Sequence, residues 1–145
     1  MILFSSELEF VFKKKIKMKK LIIDAANKKI FLMIITIDNI YNITHENTKI
    51  NYEKLTIIIG DFLNTHCLKI SDINEIYVNR GPGSFAGIRN SLSVVKAFNV
   101  AKRIDYYCYS LEDFKNEEDI SYENIPNLCN KFKIKKNLIN PIYIS

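Results

Sequence analysis

The residues best suited to chemistry lie in one run, Arg80-Gly81-Pro82-Gly83-Ser84-Phe85-Ala86-Gly87-Ile88-Arg89. Three of the chain's four glycines fall there, at Gly81, Gly83 and Gly87. Glycine permits positive φ and close backbone approach, and Pro82 stiffens the turn. Ser84 is of the type that caps a following helix by accepting from an amide two or three residues on. Amides at such a helix start form an anion site, and Arg89, one turn in, is placed to reach an anion or a carboxylate. The alternative is a tight strand-to-helix turn with an ordinary N-cap. The spacing matches neither a Walker loop nor a dinucleotide fingerprint. The run is therefore read as a structural or anion-binding loop made by Arg80, Gly81, Pro82, Gly83, Ser84, Phe85, Gly87 and Arg89.

Other reactive side chains are scattered. Asp24 ends an apolar run and is of the type that orients a metal-bound water, or else it is a sheet-end carboxylate satisfied by backbone donors. His45 and His66 lie in different segments, so no pair of histidines at helical spacing exists for a metal. Cys67, Cys108 and Cys129 are odd in number and widely spaced, which points to free thiols rather than a disulfide framework. No nucleophile and base can be paired by spacing. Glu112, Asp113, Glu117, Glu118 and Asp119 are read as a solvating acidic cluster. The expectation is no catalytic residue, no metal and no cofactor.

The elements that position these residues follow from periodicity. Short apolar runs over 21–25, 30–37 and 40–45, separated by the polar turns 26–29 and 38–39, predict an antiparallel meander. Leu55, Ile58, Ile59, Phe62 and Leu63 recur at helical spacing and predict a helix over about 52–65. A fourth strand at Ile76-Tyr77-Val78 leads into the glycine run and a long helix over about 84–102. A fifth strand is expected at 106–109, then a short helix through Leu111 and Phe114 capped by Ser110. Residues 115–140 read as a polar linker with little regular structure, and 141–145 as a terminal strand. The order β-β-β-α-β-α-β predicts an α/β fold, a mixed five-stranded sheet with packed helices, with parallel pairing and right-handed crossovers at the strand-helix-strand steps.

Bulk properties narrow the class. With 145 residues the chain fits one domain, and 48% hydrophobic residues predict a folded core. The formal charge of +5 suits an anionic partner such as tRNA, or reflects Lys as the default surface residue. Residues 1–17 are read as an extension or a miscalled start, with Lys13, Lys14, Lys15, Lys17, Lys19 and Lys20 as a basic patch or a solvated tail. Glu7 and Glu9 precede the basic run, the reverse of a secretory signal, and no apolar run reaches membrane-spanning length. A cytoplasmic protein without membrane association is expected.

The glycine run, read from Asn79 to Arg89, resembles the signature of the TsaB (YeaZ) family, GRGPGSFTGVR, with Asn79 in place of the first Gly and Ala86 in place of Thr. Leu21-Ile22-Ile23-Asp24-Ala25-Ala26 is similar to the family's opening strand, Ser110-Leu111-Glu112 to a later segment, and Pro141-Ile142-Tyr143-Ile144 to its closing motif. The resemblance implies an actin/sugar-kinase/Hsp70-like (ribonuclease H-like) first lobe over 18–114, with the second lobe largely absent. Ser145 and Asn51 stand where the family has Arg and His.

The resemblance further implies a non-catalytic partner that binds and activates a TsaD-type threonylcarbamoyltransferase in forming threonylcarbamoyladenosine (t6A) on tRNA. A TsaE-type ATPase joins the same complex, and tRNA is met indirectly. The long helix suits this role. At 100° per residue, Phe85, Ile88, Leu92 and Val95 form a stripe expected to face the sheet. Ala86, Asn90, Ser93, Val94, Ala97 and Ala101 form a second stripe of mostly small residues, which admit another helix closely. Thr56, Ile57 and Gly60 lie off the main stripe of the first helix, and Gly60 there suggests a packing reason. Together these residues are the expected partner interface. The alternatives are helices that pack only within the chain, a nucleotide-binding phosphotransferase of the same superfamily, a homodimer through the same face, and a decayed remnant.

Overall fold

The computed structural model describes residues 18–143. The expected extension 1–17 and the last two residues of the expected terminal strand lie outside that range. Five strands, β1 (Lys20–Asp24), β2 (Lys29–Ile35), β3 (Ile40–Glu46), β4 (Glu75–Asn79) and β5 (Asp105–Tyr109), form one mixed sheet in the order β3-β2-β1-β4-β5. β1 pairs antiparallel with β2 and parallel with β4, in a register that sets Ile22 between Met33 and Tyr77. β2–β3 is antiparallel and β4–β5 parallel. β1 and β4 are apolar without alternation because both their faces are covered. β3, at the edge, alternates half-buried and exposed residues. The meander, the parallel pairing at the strand-helix-strand steps and the five strands are those expected from the sequence.

Among the described residues four α-helices flank the sheet: α1 (Lys49–Glu53), α2 (Leu55–Thr65), α3 (Phe85–Lys102) and α4 (Ile125–Lys131). On the first face, Leu21, Ile23, Leu32, Ile76 and Val78 meet Leu55, Ile59, Phe62 and Leu63 of α2 and Ile88, Leu92 and Val95 of α3. Each such side chain, fully buried, contributes about 1.5–3 kcal/mol. On the second face, Ile22, Met33, Tyr77 and Tyr109 meet Phe114, Ile125, Leu128 and Cys129.

The structure corrects four expectations. The helix expected over 52–65 is two helices, α1 and α2, parted at Lys54. Thr48 starts the first by accepting from the Asn51 amide. The expected linker over 115–140 is ordered. A 3-10 turn at Tyr122–Asn124 leads into α4, which buries Ile125, Leu128 and Cys129 on the sheet. Seven residues with one buried stripe are too few for periodicity to show against a polar background. The segment 134–139 then runs along β5. Tyr107 bridges Lys136, and Asn137 exchanges hydrogen bonds with the backbone of Tyr106. Pro141–Tyr143 is not a strand; its one anchor to the loop is the Ile142 amide, which donates to the Arg80 carbonyl at 2.8 Å. Finally, Phe85 does not face the sheet. It is 54% exposed and its ring lies 4.6 Å from that of Tyr143.

Candidate functional site

The glycine run connects β4 to α3 and lies against the turn that follows β1. Ser84 donates its amide to the Ala26 carbonyl at 2.8 Å, and its hydroxyl accepts from the Gly87 amide at 3.2 Å. The N-cap is the one the sequence led us to expect. The glycines answer to close approach. A Cβ at Gly87 would sit 2.0 Å from the Ala25 carbonyl oxygen, and one at Gly83 would sit 2.1 Å from that of Ala26. Gly81 has φ +108, a conformation L side chains rarely adopt. Pro82 follows through a cis peptide bond. Asn47 holds the other side of the β1–β2 turn, donating to the carbonyls of Ala25 at 2.8 Å and Asn27 at 2.7 Å. The loop and the turn therefore meet backbone to backbone.

Arg80 serves this assembly from within the chain. Its Nη2 donates to Asp113 Oδ1 at 2.8 Å, and its Nη1 donates to the Asn140 carbonyl at 3.0 Å. Asp113 in turn accepts from the Ser110 amide at 2.8 Å. Arg80 thus ties the signature loop to the 3-10 turn Leu111–Phe114 and to the closing segment. Asp113, read from sequence as solvating, is instead one half of this tie. Arg89 is exposed and lines a shallow groove with Leu92, Ser93, Lys96, Ile139 and Tyr143.

Asp24 is 2% exposed and fully engaged. Its Oδ1 accepts from the Ala26 amide at 3.0 Å; its Oδ2 accepts from Asn79 Nδ2 at 3.1 Å and the Tyr122 hydroxyl at 2.7 Å. The donors are mostly side chains, not the backbone groups expected. Asn79 also accepts from the Gly81 amide at 2.8 Å, so the residue that departs from the family signature joins Asp24 to the loop. Tyr122 stacks on Phe31 with centroids 3.9 Å apart. Burial first, and then the Asp24 carboxylate, push its hydroxyl up, so it remains a donor. Among the described residues no cluster of three or more His, Cys, Asp or Glu converges on a point.

The expected interface residues divide into two sets. Thr56, Ile57, Gly60, Ser93, Ala97 and Ala101 are exposed on the outer side of α2 and α3, whereas Ala86, Asn90 and Val94 are half-buried. Asn90 turns inward to donate to the Ala86 carbonyl at 2.8 Å, and Val94 packs against the core. Gly60 has open space where a Cβ would stand. Nothing among the described residues requires glycine there. A groove of about 360 Å³ lies between α2, with Thr56 and Gly60, and the turn Leu68, Lys69 and Ile70, with Phe98 of α3 at its border.

Two solved structures share this architecture. YeaZ from Pseudomonas aeruginosa matches with a TM-score of 0.59 and 19% identity, over 64% of this chain and 44% of its own. An uncharacterized protein with similarity to peptidase YEAZ from Pseudomonas aeruginosa matches with the same score and identity, over 64% of this chain and 43% of its own. The fold is that of YeaZ. The mixed sheet with its packed helices is the fold that the signature resemblance implied, and the chain spans less than half the length of these two structures. No family model and no curated protein matches the chain.

Of the expected loop set, Gly83, Ser84 and Gly87 meet the β1–β2 turn, whereas Arg80, Phe85 and Arg89 point to the closing segment or the α3 groove. The interface set lies on α2 and on α3, the helix that the loop opens. Sequence reasoning missed Asn47, Asn79, Asp113 and Tyr122. The departure of Asn79 from the signature was the one signal that could have drawn attention to its role.

Proposed function

We propose that this chain is a non-catalytic partner subunit in threonylcarbamoyladenosine formation on tRNA, binding and activating a TsaD-type transferase through the outer face of α2 and α3. The observation that carries the reading is that face. Thr56, Ile57, Gly60, Ser93, Ala97 and Ala101 are small or apolar for the most part and exposed, and Thr56 and Gly60 also line a groove beside α2. Small residues permit a partner helix to approach closely, and Gly60, which no neighbour among the described residues requires, acquires a role at such a contact. In this reading the chain favours the active conformation of its partner by binding it more tightly than the inactive one. A TsaE-type ATPase acts on the same complex, and tRNA is contacted by the transferase.

The lack of catalysis is argued from Asp24. In active members of the superfamily this turn admits phosphates. Here the turn has no glycine, the signature loop packs on it, and Tyr122 occupies the carboxylate. That closure disfavours the phosphotransferase reading. Titration of the chain with ATP and Mg²⁺ by calorimetry tests it, with no heat of binding expected; micromolar affinity would revive the enzyme reading.

For the interface, Ala97→Arg is expected to weaken the complex with the transferase at least tenfold while leaving the fold intact, because Ala97 is exposed. Surface plasmon resonance with the wild-type chain alongside reads this directly. An unchanged affinity would move the contact elsewhere. A homodimer through the same face is the second reading, and the same variant would then shift the self-association constant in the absence of any transferase.

A further inference from the structure

A further cavity lies on neither of these surfaces. It holds about 570 Å³, within the roughly 300–1,000 Å³ typical of small-molecule sites. It opens at the N-terminal ends of β1 and β4, the end of the sheet opposite the signature loop, between the second face and the segment that follows α4. Its wall is aromatic: Tyr77 and Tyr107 stack with centroids 5.0 Å apart and planes 12° from parallel. Its cations come from two distant parts of the chain, Lys20 at the start of β1, and Lys133 and Lys136 beyond α4. In the sequence these are flanked by further lysines, Lys13, Lys14, Lys15, Lys17 and Lys19 on one side and Lys131 and Lys135 on the other.

Among the described residues Lys136 reaches Asp105 at 3.8 Å, with both side chains more than 40% exposed, a weak pairing. Glu75 is the one carboxylate among the described residues that line the cavity, and it accepts from the Tyr77 hydroxyl at 3.4 Å. Burial first, and Glu75 second, push the Tyr107 hydroxyl up to about 12 and that of Tyr77 higher, so both remain donors at neutral pH. The chemistry that fits is a planar ring joined to a phosphate. Lysines neutralise the phosphate, the tyrosines offer a face for stacking, and the carboxylate accepts from ring or exocyclic N–H groups. Guanine presents two such donors side by side.

We propose that this cavity binds a guanine nucleotide unit, free or within a single RNA strand, with Lys20 and Lys133 on the phosphate, Tyr107 against the base and Glu75 on its N–H edge. The site is independent of the helical face and stands or falls apart from the partner reading.

The test is fluorescence anisotropy of the full chain with a labelled, guanine-containing single-stranded oligoribonucleotide, and with GMP as free competitor. Saturable binding is expected. Lys133→Glu and Tyr107→Ala should each weaken it about tenfold, as loss of a phosphate contact or a stacking platform does. Each lysine lost should lower the slope of log affinity against log salt by about 0.7. Lys28→Glu, on the β1–β2 turn at the other end of the sheet, should change affinity less than twofold. Circular dichroism establishes that each variant is folded, and Tyr107→Phe, which keeps the ring, should retain binding if Tyr107→Ala is unfolded. Competition by GMP assigns the site to a free nucleotide, and binding of the oligonucleotide without such competition assigns it to a strand. Absence of binding to both, or equal weakening by Lys28→Glu and Lys133→Glu, overturns the proposal.

Discussion

At Asp24, two side chains from distant parts of the chain complete what a single backbone amide begins. Asn79 and Tyr122 lie 55 and 98 residues away in sequence. Tyr122→Phe keeps the stack on Phe31 but removes the donor at 2.7 Å. A hydrogen bond to a charged group is worth about 1.5–3 kcal/mol, and the variant is expected to lose that much in urea unfolding. An unchanged midpoint would mean that the contact contributes nothing. Local features here were legible from sequence: the glycine run, the Ser84 cap and the Ser110 cap each depend on residues within a few positions. The ties made by Asn79, Asp113 and Tyr122 were not, because hydrogen bonds between distant residues leave no periodic trace. The thiols add a test in pH. Burial, as the largest cause, pushes both Cys108 and Cys129 up to about 12 from an ordinary value of 9.0. Above pH 9 the unfolded chain releases thiol protons that the folded chain retains, so stability is full below pH 9 and falls as pH rises towards 12. Urea midpoints measured from pH 8 to 11 should decline over that window, and a flat profile would contradict the burial of both thiols.

The elements separate into those with enough length to declare themselves and those without. α3, with 18 residues, shows its buried stripe of Ile88, Leu92 and Val95 in the sequence. Phe85 breaks that stripe because it stands at the first turn, where the helix has left the sheet end and Tyr143 is its nearest aromatic partner. α4, with seven residues, was hidden in a polar stretch, although it closes the second face of the core. α2 carries a further sign in Gly60. Glycine inside a helix costs about 0.5–1 kcal/mol relative to alanine, and open space surrounds this one. Gly60→Ala should therefore stabilise the isolated chain by that amount, read as a raised melting temperature. If the α2–α3 face docks a helix, the same substitution should weaken the complex while strengthening the monomer. Loss of stability in Gly60→Ala would show that the glycine serves the fold itself.

On the scale of the whole molecule, one sheet carries two unlike surfaces. The first face presents two helices with small, exposed outward residues; the second is closed by the short segment that follows β5, whose Tyr122 also covers Asp24. The class of fold, the meander and the parallel steps could be read in advance because they follow from the alternation of apolar runs with turns. The role of residues 115–140 could not, since nothing local distinguishes a linker from a segment that finds its partners on a distant sheet. The proposed role joins the exposed first face and the closed turn, as a lobe that acts by being bound. No helix among the described residues is long and apolar enough to cross a membrane. The most direct test mixes the purified chain with the TsaD-type transferase of its own cell and determines mass during size-exclusion chromatography. The account predicts a stable complex of one copy of each, lost in Ala97→Arg. Two folded, soluble proteins that elute separately would contradict it.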